Sequence, residues 1–505
     1  MAAIKNFEPR EYQTAIVKTC KEKNTLVCLP TGTGKTKVAI LLAIERMNIY
    51  PDSKILVCSP TRPLANQICD EFKESTDLEP ALINLLTGVL KPNERKKFWD
   101  VSKVLVATPQ TIMNDAAKGR ISLKDVSLLC IDECHRSKHR YANTVVAKAY
   151  QEQAANSRII ALTASPGATK EKIDEIVKNL AIESVEIRTE NDEDMSPYMQ
   201  EKNIQYLKID LPEEFNQVIQ NIKAVYAEKI SNLKKYGLYK PVYAINKKDI
   251  LILQNRLRME ILSGNRAAFS GISTVAQALK LSYILELVET QSISSACEFL
   301  EKLSSEKTRA ARRILDNSRV KHAIIKLARL KEKGIEHPKL EKLKEIVKEK
   351  LSADPSTKIM VFANYRNTVS LIERQLKGLD NIRPAVLVGQ KEGLTQRKQL
   401  ETIRNFEEGI SNVLIGTSIT EEGINIAGGA NIAIFYDMVP SEIRKIQRMG
   451  RVGRTKKGEI IFLIAKKTRD EAFYWSSQRK ENAMRNMLYT MKAKNEIKEE
   501  QRRLS

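Results

Sequence analysis

The 505-residue chain reads as an α/β protein, two parallel-sheet units joined by a helical insertion. Three observations predict this. Short apolar runs alternate with helical patterns up to about residue 190. From Glu213 to about Glu349, Leu, Ile, Lys and Glu recur at helical spacing with little strand character. Strand–helix alternation then resumes at Lys358.

In the first unit the apolar runs are 25–29, 54–58, 103–107, 128–131 and 158–162, and each ends in a polar or Gly/Pro turn. That pattern predicts buried parallel strands whose carboxyl ends face a ligand. The insertion is basic: residues 201–350 hold 29 Lys+Arg against 18 Asp+Glu. Within it Arg309, Arg312 and Arg313 lead a cluster that continues through Arg329. Such a cluster is either a solvated helix face or a grip on nucleic acid. His337 and Pro338 mark the next boundary, with 339–351 as the first helix of the second unit. Runs at 358–362, 412–416, 432–435 and 460–464 supply its strands, and 469–505 is helical and charged. The expected division is 1–200, 201–337 and 338–505.

Composition narrows the function classes. A net charge of +22 points to a polyanionic partner. No run of about 18 apolar residues exists, so no membrane partner is expected. The start of the chain lacks a signal-peptide core. The seven cysteines form no CxxC pair, which argues against zinc or iron–sulfur and for a reducing, intracellular setting; the expected place is cytoplasmic and nucleoid-associated.

Two half-sites stand about 410 residues apart, far beyond the loops within one compact unit. Residues 29–36, LPTGTGKT, form a phosphate loop. Gly32 and Gly34 allow a tight turn around phosphate oxygens, with Thr31 between Pro30 and Gly32 and Thr33 between the two glycines. Lys35 can reach the β- and γ-phosphates of ATP, and Thr36 can hold Mg²⁺. The strict pattern has glycine where Leu29 stands. Asp132 and Glu133 follow an apolar run; the first suits Mg²⁺ and the second suits water activation. His135 lacks metal-ligand spacing and reads as a coupling residue. The second half-site is 447–454, QRMGRVGR, where Gln447, Arg451 and Arg454 can meet the γ-phosphate from a facing domain.

With these residues the chain resembles a superfamily 2 helicase of the DExH type. Phe7, Arg10 and Gln13 match the adenine-binding Q motif of that family. Residues 59–62 with Arg62, and 108–111 with Thr108, resemble strand-binding motifs. Thr163 and Ser165 match the motif that links hydrolysis to strand binding. Residues 361–365 and 417–426 match two further motifs, the latter carrying Thr417, Gly423 and Asn425. Within the superfamily the chain is similar to the archaeal Hef helicases, relatives of the Fanconi anaemia group M translocases. The insertion, 107–136 and 468–476 carry that likeness.

The resemblance implies two RecA-like motor domains around ATP and Mg²⁺. It implies 3′ to 5′ movement on branched DNA such as forks and Holliday junctions, in fork repair or restart. Arg62, Thr108, Thr417 and the backbone near Gly88 would hold one strand's phosphates. Two departures stand out. Asn425 replaces the family's aspartate, and Thr420 replaces a small residue. No nuclease motif is found up to Ser505, as in a helicase-only form or a piece of a longer protein. A separate nuclease or sliding clamp is left open as a partner, with no motif behind it. Two other readings remain: a double-stranded-RNA motor of the RIG-I or Dicer type, and a non-catalytic nucleic-acid scaffold.

Overall fold

The structure, a computed structural model, describes residues 1–504 apart from 140, 168, 191, 200–201, 390–395, 418–428, 440, 451 and 453–457. At 243, 396, 442, 447 and 495–504 it describes the backbone alone.

The first unit is a seven-stranded, all-parallel sheet. Its strands are β1 (Thr25–Cys28), β2 (Lys54–Cys58), β3 (Ile83–Leu86), β4 (Val104–Ala107), β5 (Val126–Ile131), β6 (Ile159–Thr163) and β7 (Ser184–Ile187), in the order β3-β4-β2-β5-β6-β1-β7. The central strands are buried along their whole length, which is why they read as unbroken apolar runs. Helices cover both faces and build two cores. Ile16, Val38, Leu42 and Phe72 belong to one, and Ile112, Val146, Tyr150 and Ile176 to the other.

Before the second unit come β8 (Lys202–Ile209) and the insertion. The insertion is a bundle of six α-helices, among them Glu213–Asn232, Lys247–Leu262 and Ala268–Glu286, with a π-helical turn at Leu287–Gln291. It has two apolar cores. Ile230, Leu253, Leu257 and Val275 form a distal one; Phe215, Ile222, Leu285 and Leu327 form one nearer the sheet.

The second unit follows with β9 (Ile359–Phe362), β10 (Pro384–Leu387), β11 (Val413–Gly416), β12 (Ile432–Phe435) and β13 (Gly458–Ala465). Its sheet is again parallel, in the order β10-β11-β9-β12-β13-β8. One expectation is corrected here. Residues 202–209 were assigned to the insertion, yet β8 pairs with β13 over eight residues, Lys202 with Gly458 through Ile209 with Ala465. Its partner lies about 250 residues later, so no local pattern reveals the pairing. The insertion is therefore tied to the second sheet at both ends, by β8 and by the helix Pro338–Ala353.

The long helix Arg469–Leu504 leaves β13 and crosses to the first unit. Phe473 and Tyr474 pack on the second core, while Met484 and Leu488 are part of a first-unit core. Among the described residues no helix is long and apolar enough to cross a membrane. All seven cysteines are buried and unbridged.

Candidate nucleotide site between the two units

In a parallel sheet the strand carboxyl ends share one edge, where ligands collect. The turns after β1, β2, β4, β5 and β6 all open there, and they carry most of the residues singled out above. The phosphate loop runs from Leu29 to Gly34, and the helix Lys35–Ile49 starts at Lys35. Gly32 and Gly34 have φ of +82° and +76°. These left-handed values favour glycine. At Gly34 a Cβ would also lie 2.8 Å from Gln13 Nε2. Thr33 Oγ1 donates to the Pro30 carbonyl at 2.7 Å, which braces the turn. Lys35 Nζ donates to the carbonyls of Leu29 and Pro30, both at 3.3 Å.

Gln13 sits against this loop. Its Oε1 accepts from Arg10 N at 3.0 Å, and its amide faces the Thr33 and Gly34 carbonyls at 3.5 Å. Tyr12 donates to the Thr33 carbonyl. Arg10 stacks over Tyr198 at 4.8 Å, and Lys37 lies 4.6 Å from the Phe7 ring centre. Phe7, Arg10 and Gln13 are thus brought together beside the loop. Tyr12 and Tyr198 were missed; Tyr198 comes from a short 3₁₀ turn with no local signal.

Asp132 and Glu133 lie at the end of β5. Asp132 Oδ2 accepts from Ser59 Oγ at 3.3 Å. Burial and the neighbouring Glu133 charge push the Asp132 carboxyl up to about 7, against the opposing pull of Lys35. Burial would raise Glu133 too, but His135, Lys35 and Arg136 together bring it below its ordinary value. Glu133 holds a left-handed backbone, φ +48°, which is strained for a residue with a Cβ. Its Oε2 lies 3.1 Å from His135 Nδ1. His135 Nδ1 is also 3.3 Å from Thr163 Oγ1, which accepts from Ser165 N at 3.1 Å. His135, Thr163 and Ser165, expected as coupling residues, therefore form one line of contacts with Glu133. Ser59 was missed as a partner of Asp132 because it was read only as part of a strand-binding motif.

Further along the edge, Arg62 starts the helix Arg62–Ser75, and its guanidinium reaches Gly88, whose Cβ position lies 3.7 Å from Nη2. Thr108 precedes the helix Pro109–Ala117 and pairs with Thr111 at 2.8 Å. Thr417 follows β11 on the corresponding edge of the second sheet. Arg309, Arg312 and Arg313 are exposed on the short helix Arg309–Leu315, away from this edge.

The second unit meets the phosphate loop at Gly450. A Cβ there would fall 1.6 Å from Thr31 Oγ1, so only glycine fits. Arg451, Arg454, Gly423 and Asn425 lie outside the described residues, as does the side chain of Gln447. Arg448, the remaining arginine of that run, is fully buried. It stacks on Phe362 at 5.3 Å and donates to Asn364 Oδ1 at 3.1 Å, so it braces the second core rather than facing the cleft.

Comparison with known proteins adds independent findings. Residues 10–173 match the DEAD/DEAH box helicase family and 338–456 the helicase conserved C-terminal domain. Residues 214–334 match a helical bundle described for an ATP-dependent RNA helicase. The chain is 37% identical over 493 residues to a Methanocaldococcus jannaschii protein, MJ1505, with the provisional name of ATP-dependent RNA helicase; the match covers 96% of this chain and 61% of that one. It is 32% identical over 479 residues to the ATP-dependent DNA helicase fml1 of Schizosaccharomyces pombe, covering 91% and 57%. The chain thus spans about 60% of the length of these relatives. The crystal structure of the Pyrococcus furiosus Hef helicase domain superposes with a TM-score of 0.74 at 42% identity, covering 93% of this chain and 98% of that one. With almost the whole Hef helicase domain matched from end to end, the chain belongs to the superfamily 2 DExH helicases of the Hef type.

Proposed function

We propose that the chain is an ATP-driven DNA translocase that acts on forks and Holliday junctions, moves 3′ to 5′, and serves fork repair or restart. The observation that carries the motor reading is the meeting of two parallel-sheet units at the phosphate loop, Gly450 against Thr31, beside the Asp132–Glu133 pair. A site shared by two bodies can turn nucleotide hydrolysis into relative motion.

The residues present fit Mg²⁺ as well as ATP. Asp132 carries a carboxylate whose charge burial disfavours, and a divalent cation would relieve that cost. Thr36 and Asp132 would hold the ion, which when bound screens the phosphate charge. Magnesium takes few protein ligands and leans on phosphate oxygens and water. The loop amides and Lys35 bind the phosphates; Phe7, Arg10 and Gln13 read the base. Glu133 orients and deprotonates the attacking water. Arg451, Arg454 and Gln447 would meet the γ-phosphate from the second domain, as the motif they match implies. Gly423 and Asn425 would complete the nucleotide side, as the motif they match implies. His135, Thr163 and Ser165 relay the state of the site.

Arg62, Gly88, Thr108 and Thr417 suit backbone phosphate contacts, which a motor needs because it must pass over any sequence. The exposed arginines of the insertion, Arg309, Arg312 and Arg313, would grip duplex near a branch. The name of fml1 favours DNA. The names attached to the bundle and to MJ1505 favour the second reading, an RNA-stimulated motor.

One experiment tests both. ATP hydrolysis is measured with fork DNA, linear duplex DNA and duplex RNA across a salt series, for the parent and Lys35→Ala. Fork DNA should stimulate most, with binding falling by a log–log slope of about −0.9 per phosphate neutralised. Lys35→Ala should lower stimulated hydrolysis on the order of 100-fold or more. Unchanged hydrolysis in that variant sinks the site; stronger stimulation by RNA moves the substrate to the second reading.

A further inference from the structure

Beyond its first turns, which carry part of the family likeness, the long helix Arg469–Leu504 is used by none of the motifs above, yet it touches the edge that bears the phosphate loop. Its first half is rooted in the second domain. Asp470 Oδ2 accepts from Lys339 Nζ at 2.8 Å, and Glu481 Oε2 pairs with Lys445 at 3.2 Å. Its second half lies on the first domain. Met484 and Leu488 are buried in the first-domain core, with Met487 and Met491 packed against it, a stripe at helical spacing. Beyond them Tyr489 donates to Asp192 Oδ2 at 2.7 Å, and Lys492 lies 3.5 Å from Glu186. One unbroken helix thus clamps both domains.

At the crossing point Met484 accepts a hydrogen bond from Ser165 Oγ, with Sδ at 2.9 Å. Both groups are sealed from solvent, at 3% and 1% exposure. Ser165 N donates to Thr163 Oγ1, Thr163 Oγ1 lies 3.3 Å from His135 Nδ1, and that nitrogen is 3.1 Å from Glu133 Oε2. Met484 and Glu481 also line one cavity with Thr31 and Gly450, where the domains meet. Close packing transmits small displacements, because a dense interior cannot deform freely.

We infer that Met484 is a positioning residue of the ATP site: through Ser165, Thr163 and His135 it holds the Glu133 carboxylate in place, and the helix that carries it ties that placement to the arrangement of the two domains. The inference rests on the ATP-hydrolysis reading but not on the choice between DNA and RNA.

The test uses the full chain with Met484→Ala, Met484→Leu and Tyr489→Phe. Hydrolysis is measured without nucleic acid and with saturating DNA or RNA. Met484→Ala should lower the stimulated kcat about tenfold while KM for ATP stays within about twofold, the signature of an interaction felt in the transition state alone. Met484→Leu keeps the volume but lacks the sulfur that accepts from Ser165 Oγ, so its kcat should fall between those of Met484→Ala and the parent. A folded Met484→Ala with parental kcat overturns the inference. So does a kcat loss matched by an equal rise in KM, which would mean that nucleotide binding was damaged instead. Where Met484→Ala fails to fold, Tyr489→Phe decides, since it removes only the hydroxyl contacts at the far end of the clamp: a kcat loss of about threefold supports the inference and a parental kcat overturns it. A parent without ATP hydrolysis would instead remove the underlying reading.

Discussion

Two aspartates stand at matching places in the two sheets, Asp132 after β5 and Asp437 after β12, and they live in opposite environments. Asp132 is recessed but open to the cleft, where the Ser59 hydroxyl and the Glu133 backbone N–H support its side chain. Asp437 is sealed, at 1% exposure, and fully answered. It accepts from Gln291 Nε2 at 2.8 Å and Asn364 N at 2.5 Å, with Lys339 Nζ at 3.7 Å. Gln291 belongs to the π-helical turn of the insertion, and Tyr436 donates to its carbonyl at 2.8 Å. The same position in one sheet is thus left open to the cleft, and in the other it becomes the root of the insertion. Burial alone does not mark a site; the set of partners does.

Three outcomes would break or sharpen that contrast. The largest effect is expected at the open end. Glu133→Gln should lower kcat for ATP on the order of 10²- to 10⁴-fold, the range for losing a general base. Its melting temperature should fall slightly, since His135, Lys35 and Arg136 make the folded chain favour the charge that glutamine lacks. Single-turnover hydrolysis beside a thermal melt checks both halves, and a variant with near-parental turnover would remove Glu133 from the chemistry. At the sealed end the roles reverse. Lys339→Ala leaves Asp437 and Asp470 buried without their cation, so stability should fall by about 3–5 kcal/mol. Denaturant unfolding reads this, and turnover per folded molecule should change little. A loss below about 1 kcal/mol would mean that the pair is solvated in a way the geometry excludes.

The smallest effect concerns His337, also sealed in that root. Its Nε2 lies 3.0 Å from the Glu289 carbonyl and its Nδ1 accepts from Lys339 N at 3.2 Å, a set that suits the neutral ring. Burial, with the Lys339 charge, pulls its pKa down to about 3 from an ordinary 6.5. Between those values the unfolded chain takes up a proton that the folded chain refuses. Its contribution is therefore present above pH 6.5 and lost as pH falls toward 3. Burial raises Asp470 to about 6, so the folded chain binds the extra proton below that pH and part of the loss is offset. Melting temperatures at pH 7.5 and 4.5 should differ less in His337→Gln than in the parent. An equal acid shift in both would show that other groups set the acid sensitivity.

The sequence made the catalytic edge legible because its strands are central. β1 and β5 are buried on both faces, read as apolar runs, and end at LPTGTGKT and DECH. β3, β7, β8 and β10 escaped. β8 and β10 are sheet edges with half-exposed faces, and β7 carries Glu186 among four residues. Their place is set by pairing with distant strands rather than by local composition. The long helix was legible as a helix. Its crossing between domains was not, because the stripe Met484, Met487, Leu488 and Met491 shows only that some apolar surface must cover it.

The pairing of β8 with β13 also bears on how the chain is made. β8 leaves the ribosome first and its partner follows about 250 residues later, which at ~5–20 residues per second is a wait of roughly 10–50 seconds. Throughout that interval an eight-residue strand with β-forming character is available to the wrong neighbour. Lys202 and Lys208 along it act as charged guards, and the helical bundle, built from local contacts, can fold while the strand waits. Of the two sheets, the second is therefore the later to close.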